Sequence, residues 1–128
     1  MSEASDIVGV RTVGIPVSDQ GRAVGFYTDA LGLQLRVDVP IPEFGGRWIE
    51  VAPPGAATTV ALVPARDGLP AGVPTGVRFT TRDAAASHAA LAGHGVEVGE
   101  VLRWPGVPPM FQARDPDGNG FEIVEERS

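Results

Sequence analysis

Two stretches decide the fold when they are set one above the other: TVGIPVSDQGRAVGFYTDALGLQLRV, Thr12 to Val37, and GVRFTTRDAAASHAALAGHGVEVGEV, Gly76 to Val101. Each has a short apolar strand, an Asp, an amphipathic run, a Gly, and a second strand. Thr12 to Asp19 and Gly76 to Asp83 are both seven residues. Asp19 and Asp83 are suited to cap helices, because a short carboxylate accepts from the free amides of a first helical turn. Ala23, Phe26, Tyr27, Ala30 and Leu31 recur at helical spacing and form one apolar face. Gly32 and Gly95 follow, where a helix can end in the left-handed conformation that glycine adopts cheaply.

The downstream halves repeat as well. RWIEVAPPGAATTVALV (47–63) and PMFQARDPDGNGFEIV (109–124) each read as strand, turn, strand. Superposing the turns sets Gly55 against Gly118, and the strands that follow, VALV (Val60 to Val63) and FEIV (Phe121 to Val124), then match after a first-module loop two residues longer. The reading is an α+β protein, one domain over 1–128. It comprises two βαβββ modules, at about 8–64 and 75–126, joined by a Gly/Pro-rich linker at about 65–74. One helix cannot cover both faces of a four-stranded sheet. The face away from each helix is therefore expected to meet the other module, with a cleft enclosed between them.

Composition narrows the function. All ten basic residues are arginine, they are scattered, and the net charge is −6, so a nucleic-acid partner is not expected. No apolar run is long enough to span a membrane, so no membrane partner is expected. Cysteine is absent, which excludes disulfides and thiolate sites and suits the expected cytoplasmic location. No catalytic Ser-His-Asp arrangement, phosphate loop or redox motif is present.

The segments PVSD…AVGFYTDALGLQL and FQARDPDGNGFEIVE resemble the vicinal oxygen chelate superfamily of glyoxalases, bleomycin-resistance proteins and extradiol dioxygenases. The resemblance runs from Val8 to Glu126 and implies the paired-module fold and a homodimer. It also implies metal-ligand positions at Thr12, Ala61, Gly76 and Glu122, of which only Glu122 carries a family ligand. A catalytic divalent ion takes about three protein ligands from imidazole, thiolate or carboxylate. No metal or other cofactor is therefore expected. A divalent metal held by rearranged ligands, in a lyase, isomerase or dioxygenase, is the alternative.

Strand alternation sends Thr12, Gly14 and Pro16, and Gly76, Arg78 and Thr80, away from the helices. Arg78 either recognises an anionic group or pairs with Glu122 or Glu50. The expected site comprises Thr12, Trp48, Glu50, Arg78, Trp104, Met110 and Glu122. Glu122 is the one candidate for a catalytic base. Trp104 lies in a proline-stiffened loop that could gate the cleft, and Trp104, Met110 and Trp48 suit a planar apolar ligand or ordinary packing. His88 and His94, on the second helix and at its end, read as structural. The leading expectation is a metal-free binder of a small amphipathic or aromatic molecule.

Overall fold

Strand β1 (Thr12–Val17) leads into helix α1 (Gln20–Gly25), which runs on as a wider π-helical turn over Phe26–Ala30. Strands β2 (Gln34–Ile41), β3 (Gly46–Ala52) and β4 (Thr59–Pro64) complete the first module. The second repeats the order with β5 (Pro74–Thr81), α2 (Ala84–Gly93), β6 (Glu97–Val98), β7 (Met110–Arg114) and β8 (Gly120–Glu125). The computed structural model describes residues 5–126. The sheets have equivalent strand orders, β1-β4-β3-β2 and β5-β8-β7-β6, with the first pair in each order parallel and the others antiparallel.

The repeat is visible in the register. Gly14 pairs with Ala61, and Ala61 with Glu50; Arg78 pairs with Glu122, and Glu122 with Gln112. Ala61 is thus the structural counterpart of Glu122, and Gln112 that of Glu50. Both helices start as the sequence suggests: the Asp19 carboxylate accepts from Arg22 N and that of Asp83 from Ala86 N, each at 3.0 Å. Asp19→Ala and Asp83→Ala should each cost about 1 kcal/mol. The two losses should add, being in separate modules, when both are measured by urea unfolding. Gly32 and Gly95 have φ of 73° and 79°, the left-handed caps.

One expectation is corrected. Within the chain the sheets do not close their open faces over each other; the modules join through their helix-facing sides. Phe26, Leu31, Val77 and Phe79 pack against the cores of both modules. The turn between β7 and β8 fastens this joint. Asp115 accepts from the buried Tyr27 hydroxyl at 2.8 Å, while Asn119 Nδ2 donates to Pro16 O at 2.8 Å. The Asn119 side-chain oxygen accepts from Gly72 N and Val73 N, so the linker is pinned at its end. The two stretches that carried the family resemblance, around Phe26-Tyr27 and Asp115–Asn119, are therefore in contact. The second sheet's face away from α2 stays open, with the Arg78 side chain 67% exposed.

Candidate functional site

Alternation along β3 puts Ile49 and Val51 into the core under α1 and turns Trp48 and Glu50 to the opposite face. There Glu50 is 2% exposed, the most enclosed carboxylate among the described residues. Its Oε1 accepts from the Thr59 hydroxyl at 2.7 Å and its Oε2 from the Trp48 indole N–H, also at 2.7 Å. Arg11 reaches Oε2 more distantly, at 3.4 Å. The hydrogen bonds from Thr59 and Trp48 hold the carboxyl below the usual glutamate range, outweighing burial and with a smaller contribution from Arg11.

This sets a direction for acid sensitivity. The folded-state pKa lies below the ordinary value of 4.5, so as pH falls the unfolded chain takes up the proton first. Glu50's stabilisation is complete above that ordinary value and is lost as pH drops through the lower folded one. Glu50→Gln should flatten the pH dependence of unfolding in this acid range, measured by urea titration at a series of pH values.

On the second sheet, Arg78 Nε donates to Glu122 Oε1 at 2.7 Å. With side chains 67% and 27% exposed, the pair is wetted, and solvent screening keeps its worth in the free chain small. Gln112 is next in the same row and Met110 lies on the same face. A cavity of about 400 Å³ on this sheet is lined by Arg78, Gln112, Arg114 and Glu122, among others. A second, open groove of about 620 Å³ runs between the modules, with Gly14 and Thr59 on one side and Gly76, Arg78 and Thr80 on the other.

The remaining positions fall as follows. The Thr12 hydroxyl donates to Thr59 O at 3.2 Å. Trp104 is 59% exposed, and it, Trp48, Glu50 and Met110 line neither cavity. His88 lies on α2 with a ring nitrogen 2.9 Å from Gly99 O and its ring edge-on to Phe111. His94 caps the C-terminus of that helix.

The four family ligand positions do not fit a divalent ion. Ala61 and Gly76 carry no donor, the Thr12 hydroxyl is engaged by backbone, and Glu122 is paired with Arg78. Gly76 also has φ of 76° at a register shift in β5, a conformation that strains any side-chain-bearing residue. A histidine there would be conformationally penalised, not merely absent. Among the described residues no group of three or more His, Cys, Asp or Glu could hold a metal ion.

The paired modules and this face define the class, and comparison with known proteins agrees. The profile of the Glyoxalase/Bleomycin resistance protein/Dioxygenase superfamily matches residues 9–123, and the chain belongs to that family. It is similar to TnmS3, described as an antibiotic binding protein from Streptomyces sp. CB03234, with 33% identity and a TM-score of 0.86 over 97% of this chain and all of that one. It is similar too to a superfamily member from Sphaerobacter thermophilus DSM 20745, with 35% identity and a TM-score of 0.84 over 94% of this chain and 98% of that one. The uncharacterized protein YetH of Bacillus subtilis is 31% identical, covering 91% of this chain and 97% of its own length.

Proposed function

We propose that this protein binds a small amphipathic or aromatic molecule without a metal, on the face of the sheets opposite the helices. The observation that carries this reading is the replacement of the family's ligand constellation by space. Gly14 and Gly76 leave room in the groove between the modules, where an added Cβ would meet nothing within 4 Å, while Arg78 lines both cavities and Glu122 one of them. Apolar room with a few convergent polar groups is the usual composition of a ligand site. The description of TnmS3 as an antibiotic binding protein supports the same direction. The open second sheet, together with Leu35 and Val39 each 45% exposed on β2, supports a homodimer in which a partner's surface completes the site. Light scattering of the purified protein should then give twice the chain mass of 13.3 kDa.

The test uses metal first and ligand second. Protein purified without chelators should hold substoichiometric zinc, nickel, iron or manganese and gain little stability when these are added. A tight ion at a thousandfold excess over its dissociation constant would add about 4 kcal/mol. One ion per chain, lost in Glu122→Gln, would overturn the metal-free reading. 2-Naphthoate, a planar aromatic carboxylate, then probes Arg78. Arg78→Ala should weaken its binding roughly tenfold, a modest loss because the Arg78–Glu122 pair is solvent-screened. Equal affinity in the two proteins would remove Arg78 from the site.

A further inference from the structure

The carboxylate of Glu50 is the most enclosed among the described residues, yet its cationic partner is distant and largely exposed. The other long pair, Arg114 with Glu97 at 3.4 Å, joins two exposed side chains, whereas better-covered carboxylates have close partners. Arg47 grips Asp38 with two nitrogens at 2.9 and 3.0 Å, and Arg22 meets Asp117 at 3.0 Å. Those carboxylates are more exposed than Glu50, whose Arg11 contact is 3.4 Å from a side chain 78% exposed. An enclosed charge is ordinarily matched by a close, desolvated partner. Here the close contacts come from two neutral donors, Trp48 and Thr59, which fix the carboxylate in place without neutralising it.

The neighbours of Glu50 on this face are small or apolar. Glu50 sits in a row with Gly14, Ala61 and Val37, with the Trp48 indole adjoining. A Cβ added at Gly14 would meet nothing within 4 Å. Thr59 and Gly14 also line the groove between the modules, so the carboxylate lies beside a route from solvent. Three of its roughly four acceptor sites are used, the weakest by Arg11. A single carboxylate so arranged cannot assemble the ligand set of a divalent ion. It is matched by one N–H-bearing cation, through a charge-assisted hydrogen bond in an apolar setting.

We propose that Glu50, oriented by Trp48 and Thr59, is a seat for the protonated amine of an aromatic ligand, and that Arg11 occupies this seat in the structure as a replaceable stand-in. The inference rests on the reading of this chain as a small-molecule binder and adds the chemical class that the first module selects. Arg11 precedes β1, and its main-chain oxygen accepts from Thr59 N at 3.0 Å. The side chain can therefore swing away while the backbone stays fixed.

Calorimetric titration with 2-naphthylmethylamine and its neutral counterpart 2-naphthylmethanol tests this at neutral pH. The wild-type chain should prefer the amine. Glu50→Gln should erase that preference, a change of roughly tenfold to a hundredfold, the size of one charge-assisted hydrogen bond, while still binding the alcohol. Arg11→Ala, a change at an exposed side chain, should bind the amine more tightly than wild type because the competitor is gone. A purely structural Arg11–Glu50 pair predicts the reverse, since Arg11→Ala would loosen the seat. An amine preference that survives Glu50→Gln, weaker amine binding in Arg11→Ala, or no amine binding in either wild type or Arg11→Ala would each overturn the seat. Alcohol binding with no amine preference would leave the small-molecule reading standing and remove only this inference.

Discussion

Asp115→Ala is expected to destabilise the protein by about 4 kcal/mol, although Asp115 lies in what reads as a surface turn. Its side chain is 5% exposed and accepts four hydrogen bonds. They come from the Tyr27 hydroxyl, from the main-chain amides of Asp117 and Asn119, and from the Asn119 side chain. Alanine would orphan all four donors, and several are out of reach of water. The Tyr27 hydroxyl is the most exposed to this loss, since burial and the neighbouring Asp115 charge raise its pKa far above the usual phenol range and keep it a donor. Tyr27→Phe alone should cost only about 1–2 kcal/mol, because it removes one donor and leaves Asp115 three others. The double variant should be less destabilised than the sum of the two, as both act on one bond. Urea unfolding of the four proteins gives the cycle. A loss in Asp115→Ala below about 1 kcal/mol would show that the turn, not the joint between modules, is all that Asp115 serves.

This case marks where sequence reasoning stopped. Asp19, Asp83, Gly32 and Gly95 were legible because each acts on its own neighbours: a cap bonds amides three residues on, and a left-handed glycine bonds within its own helix end. Asp115 and Asn119 look like turn residues, and they are, but the same side chains reach Tyr27 and Pro16, 88 and 103 residues away. One signal was available. The equivalent turn of the first module is Pro53-Pro54-Gly55, so the extra Asp and Asn in the second exceed what a turn needs. At Gly76 the sequence shows only a missing ligand, whereas its positive φ is a backbone requirement that no alternation pattern reveals. The enclosure of Glu50 depends on Trp48 beside it and Thr59 on the next strand, a convergence set by pairing register rather than by local pattern. Alternation tells which side chains share a face, and not what that face meets, so the open side of the second sheet is visible only in the structure.

Phe121→Ala should be of similar severity, about 3–5 kcal/mol, the usual range for emptying a buried aromatic site. Phe121 is 2% exposed on β8. Its ring meets Phe79 of its own module edge-on at 5.4 Å and Tyr27 of the first module at 6.2 Å. The cavity would therefore open at the joint, where Val77 and Phe79 already pack against both cores, and both modules should lose stability together. The two tryptophans make this measurable, since Trp48 is in the first module and Trp104 in the second. Trp48→Phe and Trp104→Phe leave one reporter each. In either background, Phe121→Ala should move the denaturant midpoint by the same amount, as a single cooperative unit requires. Separation of the two transitions, with Trp48 reporting a first module still folded after Trp104 has reported loss of the second, would show two cores in contact rather than one shared. In that event the groove between the modules, bordered by Gly14 and Thr59 on one side and Arg78 on the other, would not be held at a fixed width. A binding site that depends on both its walls needs the joint at Phe121 to be rigid.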